Sequence, residues 1–288
     1  MTTAPSRTLG GVLFLVVATA CFVVLDSTVK IVGATFSVLI AVWFRYLFQA
    51  VAMAGLVLPT RGWASLRTQH PWLQALRGLL LLLVSVLSFW SLRYMPVGEF
   101  TAILMLTPLM VVLLAAVFLH EKVTPLRWLL VLGGFSGALL VVQPTGAAVG
   151  WVTILPLGIV VSYAAFQILT SRLARTEHAL TMHFYTGWVG VLALSLGLPW
   201  FWEAIPGITT FLQLCLIGLM GTVGHFLLII AFGRSPAGVL APFLYTQVGF
   251  AMLAGWLVFD HVPGPPELMG VALIVGCGAT SAWLAARR

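Results

Sequence analysis

The chain has 288 residues, of which 61% are hydrophobic and only 7% charged, far too little polar surface to coat a water-soluble globule. That excludes a soluble enzyme or binding domain. Fourteen Lys and Arg against seven Asp and Glu give a formal charge of +7, but the basic residues stand between apolar runs, so they report topology and not a nucleic-acid site.

From the N-terminus, Arg7 precedes an apolar run with no small-residue cleavage pattern, which reads as a first membrane span and not as a removable signal. A bilayer core of about 30 Å needs about 20 apolar residues as helix, and the alternation of a membrane strand is absent. Ten spans fit: Leu9–Val32, Phe36–Leu58, Trp72–Leu92, Val97–Leu119, Pro125–Gln143, Trp151–Ser171, Ala179–Pro199, Thr209–Phe232, Ala237–Phe259 and Glu267–Ala286. The expected fold is an all-α polytopic membrane protein. Short, breaker-rich connections such as Pro59-Thr60-Arg61-Gly62 and Pro263-Gly264-Pro265-Pro266 leave no room for a soluble domain. Cys21, Cys215 and Cys277 lie inside apolar runs without metal-ligand spacing and read as small hydrophobes.

With the N-terminus inside, ten basic residues (Arg7, Arg61, Arg67, Lys122, Arg127, Arg172, Arg175, Arg234, Arg287 and Arg288) fall at cytoplasmic ends, against Lys30 and Arg93 outside. This asymmetry predicts cytoplasmic termini.

Moving 140 positions down the chain without a gap brings Pro96 onto Pro236, Gly98 onto Gly238, Leu104 onto Leu244, Leu113 onto Leu253, Pro125 onto Pro265 and Val131 onto Val271. His120-Glu121 falls on Asp260-His261. The chain reads as two repeats, 9–143 and 151–286, of five spans each. Five is odd, so the second repeat enters the membrane from the other side, and the repeats are inverted. Inverted repeats give one chain two mirror-like openings of similar energy, as alternating access to a central site requires.

The ionisable residues within spans are few, and each needs a partner or a wet cavity. Asp26 lies roughly 24 Å from the inner start of its helix and Arg45 roughly 14 Å below the outer start of the next. The two are expected on antiparallel neighbours, with Lys30 on the Asp26 face at i+4. This trio either clamps helices or lines the cavity and its outer gate. Glu99, one turn into the fourth span, either caps that helix or meets substrate. Asp26 and Glu99 are the carboxylates available for proton coupling. Arg77, near the inner end of the third span, snorkels, pairs with a neighbouring helix, or forms an inner gate. His225, within Gly221-Thr222-Val223-Gly224-His225, is a packing residue or faces the cavity, and His183 is expected at the interface. In the ninth span Pro242 frees a carbonyl while Tyr245 and Gln247 stand near the midplane, and Pro108 does the analogous job in the fourth. Interrupted helices at matching places point to a binding site. Tyr163 and Gln167 in the sixth span offer a polar face to substrate or bridge helices. Trp63, Trp72, Trp128, Trp151 and Trp200 punctuate span ends as interfacial anchors.

Several stretches taken together resemble a known family: Asp26-x3-Lys30, Phe44-Arg45-Tyr46, Leu76-Arg77-Gly78-Leu79-Leu80, Met95-Pro96-Val97, Leu119-His120-Glu121-Lys122-Val123, Gly133-Gly134-Phe135-Ser136-Gly137 and Leu240-Ala241-Pro242-Phe243-x-Tyr245. In order and spacing they resemble the drug/metabolite transporter superfamily, EamA-type. They look most like its bacterial subgroup with uptake carriers for S-adenosylmethionine and riboflavin. The resemblance implies a five-plus-five inverted repeat in the inner membrane, both termini cytoplasmic, and a substrate cavity between the halves. Asp260-His261 departs from the Gly-Glu that the family usually carries after the ninth span.

The expected function is secondary active transport of a small polar or zwitterionic metabolite, by a monomer or weak dimer, without cofactor or metal. A channel, a structural membrane protein or a carrier of drug or riboflavin type are the alternatives. An enzyme is disfavoured: His120-Glu121 opens an HExxH-like string, but its fifth position is Thr124, so the zinc spacing fails. A primary pump would need a phosphate loop, and no GxxxxGK[ST] occurs.

Overall fold

The computed structural model describes residues 5–94, 97–144, 153–260 and 262–286. Every regular element among them is helical: α1 (Pro5–Gly33), α2 (Val38–Arg61), α3 (Pro71–Tyr94), α4 (Val97–Leu104), α5 (Thr107–Phe118), α6 (Pro125–Val142), α7 (Ile154–Leu173), α8 (Ala179–Ser195), α9 (Leu198–Phe201), α10 (Ile208–Arg234), α11 (Ala237–Leu244), α12 (Thr246–Phe259) and α13 (Pro265–Ala286), with one 3-10 turn at Trp63–Leu66. A helix satisfies its own backbone polar groups, and that is what an apolar chain needs where water is absent.

Among the described residues, eight helical stretches are long and apolar enough to cross a membrane, with α11 and α12 counted as one. Two further crossings complete the expected set. One is α4 with α5, broken in the middle. The other is α8, 17 residues long, which stops at Ser195 before Leu196 and Gly197 and hands over to α9.

The helices of the first repeat find their main neighbours in the second. α1 packs on α10, α2 on α8, α3 on α7, and α6 on α13, while α5 packs on both α7 and α11. Under the 140-residue shift the α1–α10 pair maps onto the α7–α3 pair, so the packing repeats as the sequence does. The core is the seam between the two repeats, with Leu15, Tyr46, Val111, Val131, Phe166, Leu228 and Tyr245 buried along it. Where α6 crosses α13 the backbones nearly touch: a Cβ on Gly137 would lie 2.6 Å from the Gly270 carbonyl oxygen. Only glycine permits that approach, the small-residue crossing usual in membrane helices.

Several polar ties between the repeats lie at the end of the bundle where Lys122, Arg172, Arg175 and Arg234 stand, here termed the basic end. Ser235 Oγ donates to the Thr8 carbonyl at 3.1 Å, and the Thr68 hydroxyl and Gln69 N–H donate to Glu177 Oε1 at 2.7 and 2.9 Å. At the opposite end, Trp43 Nε1 donates to Ser195 Oγ at 2.9 Å, and an open cleft is lined by Gly33, Thr35, Ser37 and Glu203.

Candidate substrate site between two broken helices

Each repeat contains a crossing broken near its middle. In the first, Pro108 has no N–H to return to the Leu104 carbonyl, and its ring would crowd that oxygen. The chain turns at Met105 and Leu106, with Leu106 N–H bonded to Ile103 O at 3.0 Å, and resumes as α5. In the second repeat α11 stops at Leu244 and α12 resumes at Thr246, turning at Tyr245. Met105 and Tyr245 are 140 positions apart, the offset of the repeat, and they touch: Tyr245 Oη donates to the Met105 carbonyl at 3.0 Å. The break in one repeat thus supplies the acceptor and the break in the other the donor. The Tyr245 ring is completely buried and packs against α6, where a Cβ on Gly134 would meet its Cδ2 at 2.5 Å.

Beside these breaks lies a polar group drawn from four helices. Gln247 Nε2, on α12 two residues past the break, donates to Asp26 Oδ2 on α1 at 3.2 Å. Asp26 is exposed, and Lys30, one turn further along α1, is exposed as well. Arg45 on α2 is 5% exposed and stacks its guanidinium 4.1 Å from the centroid of Tyr46. Tyr163 on α7 stacks parallel to Phe166 at 5.9 Å. Asp26, Arg45 and Tyr163 lie close enough to act on one another electrostatically. The group can offer a solute one carboxylate, one guanidinium, an amide and an aromatic face.

A second polar set lies deeper, toward the basic end, and is dry. Arg77 on α3 has no exposed surface. It donates through Nη2 to the Met182 carbonyl at 2.8 Å and to the Thr186 hydroxyl, and its guanidinium carbon stands 5.4 Å from the Phe166 ring centre. His225 on α10 meets the same ring edge-on at 6.2 Å and Phe22 at 4.7 Å, with Nδ1 bonded to the Gly221 carbonyl at 2.9 Å. Gln49 on α2 donates to the His183 carbonyl at 3.0 Å and stands 3.2 Å from its Nδ1. Buried polar atoms left without a protein partner include Arg77 Nε and Nη1, both amide atoms of Gln167, Ser171 Oγ, Thr222 Oγ1, and Nε2 of both His183 and His225. So many orphans in one region are costly in a permanently closed core.

The arrangement differs from the sequence expectations at particular residues. The carboxylate of Asp26 bonds Gln247 and not Arg45, whose planar cation turns to the Tyr46 face. Of the readings offered for Arg77, it is the pairing with a neighbouring helix that is seen, with Met182 O and Thr186 of α8 within its reach across the seam. His183 is not interfacial, having no exposed surface. Tyr245 and Gln247 do stand together at a helix break, whereas Gln167 and His225 belong to the dry set. The Glu99 side chain lies outside the described residues. Gln49, Ser171 and Thr222 are not among the site residues expected from the sequence, since none is ionisable or stands beside a helix break. The signal was there: Gln167 and Ser171 stand at i, i+4 on one helix, as do Thr222 and His225 at i, i+3.

Known proteins agree with this architecture. The model of the EamA-like transporter family matches the chain twice, at residues 9–143 and 150–279. The riboflavin transporter of Rhizobium johnstonii is 30% identical over 94% of this chain and 90% of its own length. The S-adenosylmethionine uptake transporter of Rickettsia bellii is 25% identical over 87% of this chain and 85% of its own. A solved crystal structure superposes on 99% of both chains with a TM-score of 0.81 at 18% identity, which establishes a shared fold. A chain with two copies of the family's unit, built as a multi-pass helical bundle, is a transporter that belongs to the EamA-like family.

Proposed function

We propose that the protein is a secondary carrier of the bacterial inner membrane, moving a small polar or zwitterionic metabolite by alternating access between two inverted repeats. The observation that carries this reading is the Asp26–Gln247 contact beside the paired breaks. It joins the first helix of one repeat to the interrupted helix of the other through an exposed carboxylate and a half-buried amide. Broken helices at corresponding places in two halves are the usual setting for a solute site at mid-membrane. Asp26, Arg45, Tyr163, Tyr245 and Gln247 line or support that site, and Lys30 stands at its mouth. The dry set around Arg77, Gln167 and His225 is the stretch that becomes hydrated when the basic end opens, which accounts for its orphaned donors and acceptors.

The excess of Arg and Lys at the basic end supports a reading in which that end, with both termini, faces the cytoplasm. Both charge signs suit an amino acid or S-adenosylmethionine. The aromatic faces of Tyr163 and Phe166 favour a second reading, a flavin, in keeping with the name of the Rhizobium relative. Counterflow in proteoliposomes with labelled S-adenosylmethionine, riboflavin and amino acids decides between them. Saturable exchange of one, abolished by Tyr245→Ala and weakened at least tenfold by Asp26→Asn, is the expected result. No saturable exchange of any would refute the carrier assignment. If Asp26 carries a coupled proton, uptake in the parent responds to an imposed pH gradient and uptake in Asp26→Asn does not. Equal response in both removes Asp26 from coupling.

A further inference from the structure

We propose that Glu121 is the latch of the cytoplasmic gate, and that the lack of a carboxylate at its repeat partner biases the resting carrier toward its outward-open state. The proposal rests on the alternating-access reading. The start of α11 leaves backbone N–H groups without intrahelical acceptors. Glu121, in the segment that follows α5, fills that need from the other repeat. Its Oε1 accepts from Ala237 N at 3.2 Å and its Oε2 from Gly238 N at 2.9 Å. Its side chain is only 11% exposed, so the carboxylate is held largely out of water against the positive end of a helix. Charge-assisted bonds are stronger than neutral ones in that setting. Arg175 also reaches Oε1 at 3.4 Å, but it is 54% exposed, and an ion pair open to solvent adds little.

The contact crosses the seam at the turn between α10 and α11, where Ser235 is already tied to Thr8. Opening the basic end requires this turn to leave the first repeat, so the Glu121 bonds exist only while that end is closed. Shifted by 140 positions, Glu121 falls on His261, and Ala237-Gly238 falls on Val97-Gly98. An imidazole in place of the carboxylate cannot make the same two-oxygen, charged contact. The neighbouring Asp260 is exposed and closes α12 in the left-handed conformation, at φ 53°. At the position that Glu121 holds in the first repeat the second therefore carries no carboxylate, and the balance between the two closed forms tilts accordingly.

The test places a reporter behind the latch. Ala241, one turn into α11, has no exposed surface. Ala241→Cys, in a chain whose Cys21, Cys215 and Cys277 are changed to Ala, is labelled with a membrane-impermeant maleimide in inside-out vesicles. Glu121→Gln is expected to raise the labelling rate about tenfold, the ratio for loss of one charged hydrogen bond. Glu121→Asp, which keeps the charge but is too short to span both N–H groups, gives an intermediate rise and serves if the Gln variant does not fold. Arg175→Gln changes the rate less than about twofold. Labelling of Glu121→Gln within twofold of its parent, in protein that still exchanges substrate, overturns the latch and leaves the carrier standing. A parent without substrate exchange overturns both.

Discussion

Gly134→Ala tests the tie between the two helix breaks. The added Cβ would lie 2.5 Å from Cδ2 and 2.9 Å from Cε2 of Tyr245, inside any normal contact. The ring has no free surface to retreat into, so it must tilt, and tilting draws its hydroxyl away from the Met105 carbonyl. Overpacking of this kind costs about 1–3 kcal/mol, and the lost hydrogen bond about 1 kcal/mol more. The two effects sum to about 2–4 kcal/mol and are read by thermal unfolding in detergent. Tyr245→Phe alone removes only the hydrogen bond and is expected to cost about 1 kcal/mol. Removing the ring removes the collision, so Gly134→Ala in a Tyr245→Ala background costs far less than in the parent. The double-mutant cycle then shows a coupling above about 1 kcal/mol, in the range for residues in direct contact. Additive losses would refute the packing argument and, with it, the claim that the two breaks are held against each other.

Further outcomes follow from the dry set. Arg77→Met forfeits the bonds to Met182 O and Thr186 but also removes a fully buried cation with no carboxylate paired to it among the described residues. Thermal stability should change by less than about 1 kcal/mol, whereas Arg77→Lys, which keeps the charge and loses the planar fork, should lose about 2 kcal/mol or more. A large loss in the Met variant would indicate that the cation itself is stabilising. Gln49→Leu deprives the His183 carbonyl and Nδ1 of their donor and is expected to destabilise by about 1–2 kcal/mol, seen as a lower unfolding temperature. An unchanged value would mean that water takes over the amide's place.

The spans were legible because an apolar run of bilayer length admits only one backbone solution, and the repeat because its prolines and glycines keep a fixed offset. The break at Met105 could be read from Pro108. The break at Tyr245 could not be read from Pro242, which sits inside α11; the repeat offset locates it instead. Charge pairing misdirected the reading of Asp26, since its partner is a neutral amide 221 residues away that no local pattern connects to it. His183 stands near the end of α8, where an imidazole would ordinarily find headgroups. What buries it is the approach of α2 and α10, with Gln49 and Phe226 against it, and that is a property of tertiary packing alone.

The Tyr245–Met105 bond joins a residue to its own counterpart in the other repeat. When two related halves exchange shapes, most contacts between them are replaced by their images, but two equivalent positions remain opposite each other, even though this hydrogen bond runs one way, from a side chain to a backbone carbonyl. In the alternating-access cycle proposed above, this pair is placed to act as a pivot, and losing the bond is expected to lower the stability of both end states by similar amounts without favouring either one.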